Sequence, residues 1–161
     1  LLYHSGHVLM ENRNGLCLGF TVEEASGHAE RRAAKNLLKT TKAILGLSPS
    51  SLGADKGYDD GAFFVDLERL HIIPHIPVRT GPLVARDPSG LARKRARARM
   101  TGKNYLISQR IRKRIEELFS WIKNIGGLKR SRFVGRWKIL QEGLLIASMY
   151  NLIRIAKLAP A

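Results

Sequence analysis

Leu52-Gly53-Ala54-Asp55-Lys56-Gly57-Tyr58-Asp59-Asp60-Gly61-Ala62-Phe63-Phe64-Val65-Asp66-Leu67-Glu68-Arg69-Leu70-His71-Ile72-Ile73-Pro74-His75-Ile76-Pro77-Val78 decides the fold class. Residues 52–55 are a short apolar run ending in an acid, which predicts a buried strand. Residues 56–60 supply the Gly and Asp of a turn. Residues 61–70 predict a helix with Phe63, Phe64, Leu67 and Leu70 on its inner side. Residues 72–78 predict a further strand, whose Pro74 and Pro77 suit a sheet edge or a strand end. Strand, helix, strand is the unit of an α/β layer, and such layers place working residues at the carboxyl ends of their strands. Asp55 stands at such an end, although an Asp there serves equally well as a cap on the turn behind it.

Upstream, Val8-Leu9-Met10 and Leu16-Cys17-Leu18-Gly19-Phe20 flank Glu11-Asn12-Arg13-Asn14-Gly15, whose Asn-Gly pair predicts a β-hairpin over residues 1–22. A helix is expected over residues 28–45, capped by Ser26 or Gly27, with a stripe of Ala29, Ala33, Leu37, Leu38 and Ile44. Downstream, Gly81, Pro82, Pro88, Gly90 and Gly102 punctuate residues 79–104 around Arg93-Lys94-Arg95-Ala96-Arg97-Ala98-Arg99. That composition predicts a basic loop or helical turn that orders on a partner. A long helix follows over residues 108–125, with Ile111, Ile115, Leu118, Phe119 and Ile122 inward, and stops at Gly126-Gly127. A last helix is expected over residues 138–158, with Leu140, Leu144, Leu145, Ala147, Met149, Leu152 and Ile155 available for burial. Nothing repeats, and no second domain is evident.

Charge bounds the function. The 161 residues carry 28 Lys and Arg against 13 Asp and Glu, a formal net charge of +15. Such a surplus repels itself unless a polyanion shares the surface, and nucleic acid is the commonest one. A solvated surface or a ribosomal-type protein would carry the same charge. The run Arg93, Lys94, Arg95, Arg97 and Arg99 is the candidate clamp on phosphates. Hydrophobic residues make up 44%, so the chain can bury a core and is no disordered tail. A single cysteine, Cys17, in an apolar run excludes a disulfide framework and reads as a buried structural thiol. His71 and His75 are separated by Pro74, so no helix stacks them into a zinc site. Trp121 and Trp137 read as packing residues, although Trp137 lies in a basic segment where stacking on a base is the alternative. The longest apolar stretch, residues 143–150, is far short of a membrane span.

On an uninterrupted helix over residues 108–125, Arg112, Glu116 and Lys123 fall within about 40° of one line. An ordinary solvated row of i,i+4 pairs has the same pattern. Taken together, a strand Asp and a helix Glu could hold Mg²⁺, which binds through a few carboxylates and keeps several waters. Two such ions serve phosphoryl transfer, and a basic surface points to a nucleic-acid backbone as substrate.

These residues resemble a known family. Asp55-Lys56-Gly57-Tyr58-Asp59 is similar to the second-acid motif of bacterial insertion-sequence transposases with a DDE triad. Residues 108–123 resemble the segment around their last acid, with signature Tyr, two residues, Arg, three residues, Glu, six residues, Lys. Arg112, Glu116 and Lys123 match it, and Gln109 stands where the Tyr would be. Residues 6–15, Gly126-Gly127-Leu128 and Tyr150-Asn151-Leu152-Ile153-Arg154 are similar to stretches of one subgroup.

The resemblance implies an α/β, RNase H-like fold, a mixed sheet flanked by helices, here without its first strand. It implies Asp55 as the second acid and Glu116 as the third, both catalytic and metal-holding, with Mg²⁺ or Mn²⁺ as cofactor. Arg112 and Lys123 would lie near transposon-end DNA or orient Glu116. The first acid belongs upstream of the hairpin, yet no Asp precedes Asp55, and Glu11, Glu23, Glu24 and Glu30 do not match its motif. The chain opens on Leu1-Leu2-Tyr3 without Met, as a fragment entered in mid-strand would. The expectation is therefore residues 1–161 as a partial catalytic domain, inactive alone, with 79–104 as a basic loop and 138–158 as a C-terminal helix. Its partners would be transposon-end and target DNA, and a second copy or an intact transposase, in the cytoplasm at the nucleoid and away from membranes. The alternative is a non-catalytic, basic DNA-binding remnant.

Overall fold

The computed structural model describes residues 4–24, 28–83 and 86–159. Its elements run β1 (His4–Met10), β2 (Cys17–Glu24), α1 (Ala29–Leu45), β3 (Ser51–Gly53), α2 (Gly61–Arg69), β4 (Ile73–His75), α3 (Pro88–Arg99), α4 (Lys103–Arg112), α5 (Arg114–Asn124) and α6 (Arg136–Leu158), with short 3₁₀ turns at Lys56–Tyr58 and Leu128–Arg130. The chain divides into two compact units, Leu1–Ser48 with Lys113–Ala161, and Pro49–Arg112. Among the described residues no helix is long and apolar enough to cross a membrane.

The first unit is built on the expected hairpin, β1 antiparallel to β2. Its turn is organised by Glu11, whose carboxylate accepts the N–H groups of Arg13 (2.7 Å), Asn14 (2.7 Å) and Leu16 (3.1 Å). Gly15 takes φ 75°, a backbone state that glycine adopts without strain. Successive β2 residues face opposite helices, because side chains alternate along a strand. Gly19 lies under α1, where an added Cβ would sit 2.9 Å from Leu37. Phe20 turns to α6, where an added Cβ on Gly143 would fall 2.1 Å from its ring. Cys17, Phe20, Val22, Leu118, Ile122, Ile146, Ala147 and Tyr150 form the core. Asn151 fastens α6 to β2: its side-chain amide accepts from the Cys17 N–H and donates to the Cys17 carbonyl, both at 2.8 Å.

The second unit holds the expected strand–helix–strand. β3 and β4 pair in parallel, with α2 between them in sequence. Asp60 caps α2 by accepting the Phe63 N–H at 2.9 Å, and Asp87 caps α3 by accepting the Gly90 N–H at 2.7 Å. Phe63, Phe64 and Leu67 of α2 are fully buried with Ile76.

Several expectations are corrected. The strand over residues 52–55 ends at Gly53 and is half-buried, because it has one partner strand and is an edge. The helix over residues 108–125 begins earlier, at Lys103, and is interrupted at Lys113. There the Glu116 N–H bonds the Lys113 carbonyl, a tightened turn within a cationic run from Arg110 to Arg114 whose like charges oppose a continuous helix. Residues 79–104 are no open loop: residues 88–99 within them form the whole of α3. On α1, Ile44 is 74% exposed. On α6 the buried face is Gly143, Ile146, Ala147 and Tyr150, whereas Leu144, Leu145, Met149, Leu152 and Ile155 stay exposed. The helix meets the hairpin along its small residues, since only a Gly admits the Phe20 ring. The proposed caps Ser26 and Gly27, and Leu1-Leu2-Tyr3, lie outside the described residues.

The Gly143 and Asn151 contacts make a direct test. Gly143→Ala forces the Phe20 ring to move, and overpacking of this kind costs about 1–3 kcal/mol. Asn151→Ala leaves both Cys17 backbone groups without their partner, for about 2 kcal/mol. Urea unfolding should show both losses; wild-type midpoints in both variants would contradict the packing described.

Burial also lowers the pKa of two histidines. His7 is pushed down by desolvation against the opposing pull of Glu30 and Glu23, and His75 by desolvation and then by Arg99. The unfolded chain therefore takes up protons at these rings before the folded chain does. Stability is full above the ordinary histidine value of about 6.5 and falls as the pH drops below it. Ring NMR should show both histidines titrating below that value in the folded protein; titration of either at or above it would contradict this.

Candidate functional site

Asp55 follows β3 directly, two residues past its last paired position, and is exposed. Its backbone is extended (φ −81°, ψ −178°), and its Oδ1 accepts the Gly57 N–H at 2.8 Å, capping the 3₁₀ turn. One carboxylate oxygen is thus held by the turn. The cap reading and the functional reading describe the same side chain.

Gln109 sets the backbone that Asp55 leaves from. Its Nε2 donates to the Ala54 carbonyl (3.2 Å) and also to the His75 carbonyl, which in turn accepts the Ala54 N–H. One amide therefore bridges the carboxyl ends of both parallel strands. Its Oε1 accepts from Arg112 Nε at 3.3 Å, so Arg112 adjoins the clamp rather than standing free. Sequence reasoning missed this role, since the only signal was Gln109 in a signature position usually filled by Tyr.

The basic run is a surface of α3 that is partly committed inside the unit. Arg93 grips Asp59 through Nε (2.9 Å) and Nη2 (2.8 Å), and Asp59 also accepts the Arg79 N–H at 2.9 Å. The Asp59 side chain is fully buried. Burial pushes its carboxyl up, but the Arg93 and Arg79 bonds outweigh that and hold it below the usual carboxylate range. Arg95 grips Glu68 in the same two-pronged way. Arg97 donates to the carbonyls of Gly81 and Arg79. Lys94 is exposed, and Arg99 keeps a buried Nη1 without a partner. Asp59 and Glu68 also escaped the sequence reading, because their partners lie 34 and 27 residues away with no local periodicity to join them.

In the first unit, Glu116 and Glu117 occupy the first turn of α5, where a helix favours negative charge. Both are exposed, and among the described residues neither enters an ion pair. Lys123 lies two turns along α5, on the Glu116 side, with its ammonium 5.9 Å from the Phe119 ring centre. Arg112 belongs to α4, so the single row of three expected on one helix becomes a pair on α5 and a residue on α4. Cys17 is the inert thiol expected, with burial pushing it up to about 11.

No group of three His, Cys, Asp or Glu side chains gathers as a metal site among the described residues. The donor chemistry nonetheless fits a hard divalent cation. Asp55 has one carboxylate oxygen beyond the one that caps its turn, and among the described residues neither it nor Glu116 enters an ion pair. Mg²⁺ is commonly held by one or two carboxylates and completed by water and substrate phosphate.

The family described as Transposase DDE domain matches residues 5–152. No curated protein matches the chain, and no solved structure does.

The Asp59–Arg93 pair gives a stability test. Asp59→Ala leaves the partly exposed Arg93 guanidinium and the Arg79 N–H without their acceptor and should cost about 2 kcal/mol. Replacing both residues should cost less than the sum of the two single changes. Additive losses in urea unfolding would show that the pair is not coupled.

Proposed function

The chain belongs to the Transposase DDE domain family, and on that premise we propose that it cuts and joins DNA strands at the ends of a mobile element. The family match, covering nearly the whole chain, carries this reading. The exposed carboxylates of Asp55 and Glu116 support it, since among the described residues neither enters an ion pair in a chain of net charge +15.

In this reading Asp55 and Glu116 are the catalytic, metal-holding acids, with Mg²⁺ or Mn²⁺ as the ion. Bound divalent ions would activate an attacking oxygen and stabilise a leaving one. The protein's own residues bind and orient. The 3₁₀ turn holds one oxygen of Asp55 while the other points outward, and Gln109 fixes the strand end behind it. Arg112 and Lys123 contact the DNA backbone. So do Lys94, Arg99 and Arg97, together with Arg93 and Arg95 through the Nη1 edges that their ion pairs leave open. Such contacts fix register without reading sequence. The fold implied is RNase H-like with a further central strand, and residues 1–161 act as part of that catalytic domain. A bacterial insertion sequence is the setting, with a second copy or an intact transposase as partner at the nucleoid.

No Asp precedes Asp55 in the sequence. In this reading the first acid of the triad is supplied from outside these residues, and the 161-residue chain is inactive alone. The same observation favours a second reading, a basic DNA-binding protein without catalysis.

Two experiments separate them. Fe²⁺ in place of Mg²⁺ generates hydroxyl radicals that cut the backbone beside the bound ion. Cuts are expected next to residues 55 and 116, and each set should vanish in Asp55→Asn and Glu116→Gln. Cuts that persist in both variants would sink the site assignment. With the missing acid provided on a longer chain, Mg²⁺-dependent nicking should appear and drop about 100-fold or more in either variant. DNA binding without nicking there would leave the non-catalytic reading standing, as would robust cleavage by the short chain refute the missing acid.

A further inference from the structure

The turn between α5 and α6 and the start of α6 expose three large apolar side chains within five residues. Phe133 is 51% exposed, Val134 87% and Trp137 70%. Lys129, Arg130, Arg132, Arg136 and Lys138 lie among them, all exposed. Trp137 was expected to pack, and it does not. An indole left in water forgoes a large burial gain, and none of the described residues of the first unit covers it.

The turn is built rather than loose. Ser131 Oγ bonds the Glu142 carboxylate and accepts the Phe133 N–H at 3.1 Å. Gly127 (φ 75°) and Gly135 (φ 98°) take backbone states that other residues adopt only with strain. Residues 127–141 contain no acid, and the first one beyond, Glu142, is already engaged by Ser131. Arg136 reaches Glu23 at 3.9 Å; among the described residues Lys129, Arg130, Arg132 and Lys138 enter no ion pair.

We propose that this turn is a platform for unpaired DNA, on which Trp137, with Phe133, stacks exposed bases while the surrounding cations take the phosphates. A duplex backbone needs cations alone; its bases are stacked on each other and offer no face to an indole. Unpaired bases offer that face whatever their sequence, and aromatic residues interleaved with Lys and Arg are what such strands bind. The choice of DNA as the polyanion rests on the transposase reading. The stacking itself rests on the exposed aromatics.

Trp137 reports its own contact. Titrating the 161-residue chain with a short oligothymidylate should quench tryptophan emission. Trp137→Phe should keep affinity and lose most of the quenching, since Trp121 is half-buried in a T-shaped contact with Tyr150. Trp137→Ala should weaken oligothymidylate binding about tenfold while binding a blunt duplex as well as the parent. Phe133→Ser should weaken the same substrate by a smaller factor. Equal affinity of Trp137→Ala and parent for oligothymidylate would overturn the proposal. So would an equal loss on the duplex, or quenching by anionic phospholipid vesicles with none by oligothymidylate. Quenching with no metal-dependent nicking on the longer chain would remove the catalytic reading and leave the platform. Nicking without quenching would remove the platform alone.

Discussion

A surplus of cations is the constraint under which this chain folds. With 28 Lys and Arg and only 13 acids, most acids are placed where they quench a cation or close a turn. Asp59 holds Arg93, Glu68 holds Arg95, and Glu23 holds Arg32 at 3.1 Å. Glu11 organises the hairpin turn, while Asp60 and Asp87 cap helices. Against that background the position of each remaining acid carries information. Asp55 caps its turn through one oxygen, and among the described residues Glu116 and Glu117 enter no ion pair.

Much of the fold was legible because it follows from local rules. The Asn-Gly turn and the apolar spacing of α1 and α2 each act within a few residues. The polar fasteners were not legible. Asn151 reaches Cys17 across 134 positions, and Gln109 reaches Ala54 across 55. An Asn or Gln in a helix has no periodicity that distinguishes a backbone clamp from a solvated side chain. The faces of α6 were misjudged for a related reason. Apolar residues occur on every side of that helix, so hydrophobicity alone could not choose, and the choice was made by Gly143 and Ala147 admitting the bulk of β2.

The candidate site was legible in its residue types and less so in its geometry. A spacing of Arg, Glu and Lys assumes one continuous helix, and neither Gly nor Pro warned of the interruption at Lys113. Like charges along residues 110–114 are the available cause, a collective effect that no single position displays. The consequence is local. Arg112 answers to Gln109 and the strand ends, whereas Glu116 and Lys123 answer to α5. The arginine run showed the opposite pattern. It reads as an unstructured clamp by composition, yet α3 forms because Asp87 and Pro88 start it and because two carboxylates neutralise two of its four arginines. A helix with four arginines and a lysine would otherwise be destabilised by its own charge.

Neutralised and unneutralised cations thus divide along the chain. On α3 the acids are supplied from within, so the helix can order before any partner arrives. The turn between α5 and α6 has no acid of its own, and its order comes from two glycines and from Ser131, which Glu142 holds. Those two solutions have different consequences for a polyanion. Arg93 and Arg95 offer only the edge their carboxylates leave open, so a phosphate there competes with an existing pair. Among the described residues Lys129, Arg130, Arg132 and Lys138 enter no ion pair, so a phosphate bound there would displace counterions. Exposed apolar surface beside exposed charge is unfavourable for an isolated protein on both counts, and the same binding event relieves both when the ligand is an anion with flat apolar faces.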